Sequence, residues 1–249
     1  MITVNSILEY LTQKYPPETA CDFDNVGLLV GNADAPVKKA VVCLDCDISA
    51  VNYAESIGAE LIITHHPVIF DGIKRVLKGD VVYELVSRNI SVISMHTNLD
   101  TAVGGVTENL CFKIGLNAVK PFTAHDGFLI REAECDGESA DDLAARIKSA
   151  LGGAVRYVGL GRKINRVLVC SGSGGNYLAD VIKNGYDALI AADIKHNVFI
   201  DALNHGVAVF DAGHYQSENV VVKPLCEQLS SAFSNTEFCA FNNSNIKFV

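Results

Sequence analysis

The feature that most constrains the fold is an internal echo. The segment KAVVCLDCDISAVNYAESIGAELIITHH (Lys39 to His66) aligns without a gap on RVLVCSGSGGNYLADVIKNGYDALIAAD (Arg166 to Asp193), at an offset of 127 residues. Cys43 falls on Cys170 and Gly58 on Gly185. Each copy reads as strand, turn, helix, glycine, strand. Each continues into a second helical stretch and a third strand: VVYELVSRN and ISVISMHTNLD in the first, HNVFIDALNH and GVAVFDAGHYQSE in the second. The first copy is longer by roughly 11 residues, most of them in PVIFDGIKRVLKGD. Two βαβαβ units predict an α/β protein of two similar domains, each with a mainly parallel sheet covered by helices.

Between the copies, DGFLIREAECDGESADDLAARIKSALGGAVRYVGLGR reads as strand, helix, strand, with Ser139 and Asp142 forming a box-like helix start. The boundary is placed near Pro121 to His125. That gives an N-terminal α/β domain over 1–124 and a C-terminal α/β domain over 125–249. The opening MITVNSILEYLTQKYPPE lacks a basic leader pattern and reads as an amphipathic helix stopped by Pro16-Pro17.

Composition narrows the partners. The chain of 249 residues is 49% hydrophobic and 20% charged, as expected of a globular protein. No run reaches the roughly 18 apolar residues of a membrane span, so a cytoplasmic location and no membrane partner are expected. The net charge of −9 argues against nonspecific nucleic-acid binding, which needs a basic face. It suits either plain solubility or carboxylates clustered around cations. The eight cysteines are scattered, and only Cys43 and Cys46 form a CxxC. A zinc ribbon needs a second such pair, and a thioredoxin-like centre stays formally open. Buried thiols in a reduced compartment are the simpler reading.

In open α/β sheets the working residues gather at the carboxyl ends of strands. The second strand of the first copy ends in His65 and His66, and the third in His96 with Asp100 four residues on. In the second copy the last strand delivers His214, with Glu218 four residues later. Neutral imidazoles with carboxylates form a ligand set for Zn, Fe, Mn, Co or Ni. Adjacent residues of an extended chain point to opposite sides. On that ground His65 and His66 are expected to serve two neighbouring ions, with a carboxylate such as Glu218 bridging them. Pro67 would keep His66 extended. SGSGGN (Ser171 to Asn176) follows a strand and opens a helix, so it reads either as a phosphate cradle or as a tight structural turn. His125, His196 and His205 have no comparable setting and read as structural or surface residues.

Taken together, FDNVGLLVG, ITHHP, HTNLD followed by GG, CSGSGG and GHYQSE resemble the Nif-three-like family of dinuclear metal-centre proteins. Many of its members carry the name GTP cyclohydrolase 1 type 2 homologue. The resemblance runs from about Asn5 to Glu227 and is to the shorter members, which lack a large domain inserted between the halves. It implies a two-domain α/β fold, a toroidal homohexamer and two divalent metal ions per chain. Carried over by position, His65 and Asp100 would hold one ion and His66 and His214 the other, with Glu218 bridging. His96 matches a histidine beside the family's site, a further ligand or a proton shuttle. Phe23 stands where many relatives carry tryptophan, and Cys46 where small or β-branched residues are usual.

The function so implied is a metal-dependent hydrolase, with GTP as the small-molecule substrate if the name holds. Water would convert GTP to dihydroneopterin triphosphate and formate. Another nucleotide or phosphate ester is the wider alternative. A noncatalytic metal-binding or regulatory ring would need the same ligands but no turnover.

Overall fold

A computed structural model describes the chain apart from residues 160, 243, 245, 248 and 249. It forms two compact units, Met1–Ala102 with Val222–Asn245, and Val103–Val221 with Ile246–Val249.

The first unit opens with α1 (Val4–Lys14), started by Thr3, whose side chain accepts from the Ser6 backbone. Val4, Ile7 and Leu11 lie on its buried stripe. β1 (Gly27–Val30) precedes the first copy of the echo, which folds as β2 (Lys39–Cys43), α2 (Ile48–Ile57), β3 (Leu61–Thr64), α3 (Val81–Ser87) and β4 (Ser91–Ser94). A short α4 (Thr97–Thr101) follows. β2, β3 and β4 pair in parallel, and β1 runs antiparallel to β4.

The second unit begins with α5 (Val106–Ile114), β5 (Asn117–Thr123), β6 (Leu129–Glu138), α6 (Ala140–Leu151) and β7 (Arg156–Val158). Ser139 caps α6 by accepting from the Asp142 backbone, as the sequence predicts. The second copy then folds as β8 (Ile164–Ser173), α7 (Leu178–Asn184), β9 (Ala188–Ala192), α8 (His196–His205) and β10 (Ala208–Asp211), followed by α9 (His214–Glu218). Strand order is β5-β6-β8-β9-β10-β7. β8, β9 and β10 pair in parallel. β5, β6 and β7 extend that core through antiparallel pairings. Alternate residues of these strands feed two separate clusters. Val167, Val169, Ile190 and Phe210 belong to one, and Leu168, Cys170, Leu189 and Val209 to the other. Burial on both faces explains the near-continuous apolar runs in the sequence.

The chain then returns to the first unit through α10 (Val222–Ala232) and β11 (Glu237–Phe241). β11 pairs in parallel along the whole of β2, giving the order β1-β4-β3-β2-β11.

The α/β fold, with the three strands of each copy paired in parallel, agrees with the sequence. The units do not divide at 124/125. A cut there would sever the β5–β6 hairpin, in which Thr123 pairs with Leu129 and the Ala124 N–H donates to the Phe128 carbonyl at 2.9 Å. Leu110, Cys111 and Ile114 of α5 also pack in the second unit's core. The glycines matched by the echo play one role. Gly58 and Gly185 both end a helix in the left-handed conformation, at φ 69° in each case.

Candidate metal centre

In the first unit, β3 is wholly buried and ends at Thr64, and two further backbone hydrogen bonds hold the residues that follow it. The His65 N–H donates to the Cys43 carbonyl at 3.2 Å and the His66 N–H to the Leu44 carbonyl at 3.0 Å. Both rings are fixed through Nδ1. His65 donates to the Met95 carbonyl at 2.9 Å, and His66 to Asp45 Oδ1 at 2.7 Å. Asp45 lies just beyond the end of β2, so neighbouring parallel strands deliver the imidazole and its acceptor side by side.

His96, just past β4, donates from Nδ1 to Asp24 Oδ1 at 2.8 Å. Asp24 also accepts from the Thr97 N–H at 2.9 Å and from the Thr97 hydroxyl. Burial alone would raise the Asp24 carboxyl. The hydrogen bonds from His96 and Thr97 outweigh it and hold the group well below the usual carboxylate range. α4 turns the chain so that Asp100, buried, lies with a carboxylate oxygen 3.7 Å from His65 Nε2.

The three rings of this unit converge. His65 and His66 have centroids 5.0 Å apart, and His96 lies 5.2 Å from His65 and 5.6 Å from His66. One ring nitrogen from each lies within 4.8 Å of the other two. The expectation that His65 and His66 point to opposite sides therefore fails here. The chain bends at this doublet instead of staying extended, so alternation no longer applies.

In the second unit, α9 places His214 and Glu218 one helical turn apart, with His214 Nε2 3.0 Å from Glu218 Oε2. His214 Nδ1 donates to Asp193 Oδ2 at 2.7 Å. The hydrogen bond to Glu218 foremost, against the effect of burial and aided by Asp193, raises the His214 pKa to about 9. Glu218 is buried against β8, where Gly172 sits at φ +60°. A Cβ on Gly172 would overlap the Glu218 carboxylate, which is why this turn needs glycine.

That contact decides between the two readings of Ser171 to Asn176. The Gly172 N–H donates to Ser217 Oγ at 3.1 Å, and the Gly174 N–H to the Ala192 carbonyl at 3.3 Å. These donors hold the loop against its own unit, as a structural turn does. The CxxC is likewise structural. Cys43 and Cys46 are free thiols buried in the first unit's core. Burial pushes Cys43 well up, and burial with the nearby Asp47 and Asp45 pushes Cys46 to about 12, far from a reactive thiolate. His125 and His205 hold Asp180 and the Asp201 carbonyl, and His196 begins α8.

Four imidazoles thus share one arrangement. Nδ1 donates to an oxygen, so Nε2 is the nitrogen that each could offer to a metal ion. The donor set fits divalent ions. Two ligands on one tetrahedral ion at about 2.1 Å stand ~3.4 Å apart, and the His65–Asp100 and His214–Glu218 pairs, at 3.7 and 3.0 Å, bracket that spacing. Asp24, Asp45 and Asp193 are the parts that sequence reasoning left without a role. Each lies in a segment already singled out, FDNVG, CLDCD or the last residue of the echo, but nothing in their spacing says which imidazole they hold.

Mixed sheets whose parallel strands lead into oriented imidazoles and carboxylates define an α/β protein with side chains that could hold metal ions. Residues 2–246 match the family described as Duf34/NIF3 (NGG1p interacting factor 3), and the chain belongs to that family. Relatives named GTP cyclohydrolase 1 type 2 homolog include one from Clostridium perfringens, 29% identical over 255 residues that span 94% of each chain. Another, from Streptomyces coelicolor, is 31% identical over 91% of this chain and 84% of its own. Among solved structures, the hypothetical protein SA1388 of Staphylococcus aureus matches with a TM-score of 0.92 at 28% identity, covering 99% of both chains. A Bacillus cereus protein related to NIF3 matches at 0.90 with 19% identity and shares the fold. Among the described residues no helix is long and apolar enough to cross a membrane.

Proposed function

We propose that the chain is a dinuclear-metal-dependent hydrolase acting on a small nucleotide, with GTP as the substrate that its relatives' names suggest. By the family resemblance, His65 and Asp100 would hold one divalent ion and His66 and His214 the other, with Glu218 shared between them. The observation that carries this reading is the shared orientation of the imidazoles, each tied through Nδ1 so that Nε2 is presented as a ligand. When bound, a pair of such ions supplies a water acidified toward neutrality.

The remaining steps belong to the chain's own side chains. His96 accepts a proton at Nε2 and returns it to the departing group, while Asp24 holds the Nδ1–H and so fixes which nitrogen takes part. Asp45 and Asp193 keep His66 and His214 from rotating as charge changes beside them. With GTP the products are dihydroneopterin triphosphate and formate. We take the assembly to be the homohexameric ring of the family resemblance, working in the cytoplasm.

Metal content and turnover test this directly. Elemental analysis of the purified chain should give two divalent ions, and His66→Ala with Glu218→Ala should abolish two-metal loading. Two ions persisting in that double variant would overturn the ligand assignment. The loaded protein should release formate and a fluorescent pterin from GTP. Stoichiometric metal without product from any nucleotide would instead favour the noncatalytic ring.

A further inference from the structure

Beside the histidines of the first unit lie two large side chains that burial does not account for. Phe23 is 67% exposed and Phe70 46%, although a phenylalanine ordinarily removes much of its surface from water on folding. Their rings face one another, with centroids 6.2 Å apart and planes tilted by 46°. The two segments that carry them are fastened together. Asn25 Nδ2 donates to the Ile69 carbonyl at 2.7 Å, and the Asn25 N–H donates to Asp24 Oδ1 at 2.7 Å. Asp24 in turn holds His96. Three consecutive residues therefore expose a ring, orient an imidazole and anchor the opposite loop.

The pair is also continuous with the histidine cluster. Phe70 meets His96 nearly edge-on, with centroids 6.2 Å apart at 78°. His96 lies 5.2 and 5.6 Å from His65 and His66. Beyond Phe70 the chain is exposed from Asp71 to Asp80 and carries Lys74, Arg75 and Lys78 against only those two aspartates, a basic stretch in a protein of net charge −9.

We propose that Phe23 and Phe70 form the aromatic wall of the substrate site, which takes the planar ring of a purine nucleotide and sets it beside His96. Stacking on an exposed, anchored ring is sequence-tolerant and strong. The basic run after Phe70 suits the anionic end of the same ligand. This deepens the hydrolase reading and rests on it for the chemistry that follows binding, but the wall has a test of its own.

Metal-loaded protein is titrated calorimetrically with GMP and with ribose 5-phosphate, which differ only in the base. The wild-type chain should bind GMP more tightly. Phe23→Ala with Phe70→Ala should weaken GMP about ten- to a hundredfold, leaving ribose 5-phosphate binding and metal content unchanged, and Phe70→Trp should restore GMP binding. Both residues are exposed, so the variants should fold as the parent does. GMP binding that is no better than that of ribose 5-phosphate, or that survives the double substitution, overturns the wall. Unchanged GMP binding with altered sedimentation also overturns it, and assigns the rings to a contact between copies. GMP binding lost in the double variant of a protein that turns over no nucleotide upholds the wall and sinks the hydrolase reading. Turnover with unaltered KM in the Phe variants does the reverse.

Discussion

The two βαβαβ copies share their scaffold and differ where the chemistry sits. Strand, helix, left-handed glycine and strand recur in order, with Gly58 and Gly185 at the same φ. At the carboxyl ends the correspondence breaks. The ungapped echo puts Asp45 of the first copy on Gly172 of the second, and His66 on Asp193. In the first unit Asp45 accepts from His66, an imidazole–acceptor pair across the ends of two neighbouring strands. In the second unit the same two positions hold a glycine that makes room for Glu218 and a carboxylate that accepts from His214. One scaffold therefore supports donors in two different ways. A strand end can carry either an imidazole or the carboxylate that aims one, because the backbone there is set by the sheet and the side chain is not.

Exchanging the two devices should give the largest effects. Gly172→Ala strains a left-handed residue and pushes a methyl into the Glu218 carboxylate. Metal affinity should fall about ten- to a hundredfold, the loss usual when a ligand's support is removed. Asp45→Ala should cost a similar factor in the first unit by freeing His66. Metal titration followed by elemental analysis measures both. If Gly172→Ala binds metal like the parent, the glycine is there for the turn alone and Glu218 needs no such clearance.

Much of this was legible in the sequence, for physical reasons that can be named. The parallel cores were readable because strands buried on both faces are apolar throughout, as in VLVC and ALIAA, and because the glycines that end α2 and α7 mark helix termini. The candidate ligands were readable because histidines and carboxylates gather at strand ends, where α/β sheets do their work. The unit boundary was not, since β5 and β6 form one hairpin across it and β11 returns about two hundred residues later to pair with β2. Nor was the convergence of His65 and His66. Period-two alternation assumes an extended chain, and the bend at the doublet removes that assumption. The acceptors Asp24, Asp45 and Asp193 lie 72, 21 and 21 residues from the imidazoles they hold, and only the fold brings each pair together.

The shared part of the scaffold makes a smaller prediction. Gly58 and Gly185 both have open space where a Cβ would go, so alanine at either is opposed by backbone conformation alone. Each substitution should destabilise by about 1 kcal/mol, or a fall in Tm of about 2–4 °C for a chain of this size, and by the same amount in both units. Metal content should not change. A much larger loss at one glycine, followed by thermal denaturation, would show that the copies no longer bear equal loads at this position.

The smallest effect separates the imidazole–carboxylate pairing from its position in the sheet. His125 donates from Nδ1 to Asp180 Oδ2 at 2.7 Å, the geometry seen behind His66, His96 and His214, but it lies in the exposed turn of the β5–β6 hairpin. The bond to Asp180 foremost, with weaker help from Asp126 and against Lys183, raises its pKa above the ordinary histidine value. A raised imidazole pKa contributes stability that is complete below about pH 6.5 and disappears as pH climbs through the folded-state value. The His125→Gln variant should therefore melt slightly below the parent at pH 6 and level with it at pH 9. Being exposed, the pair is screened, so the difference should also shrink in high salt. Metal content should be unaffected at every pH, since among the described residues His125 joins no group of side chains that could hold an ion. If His125→Gln lowers metal loading as His66→Ala does, the contrast between strand-end and loop histidines is wrong.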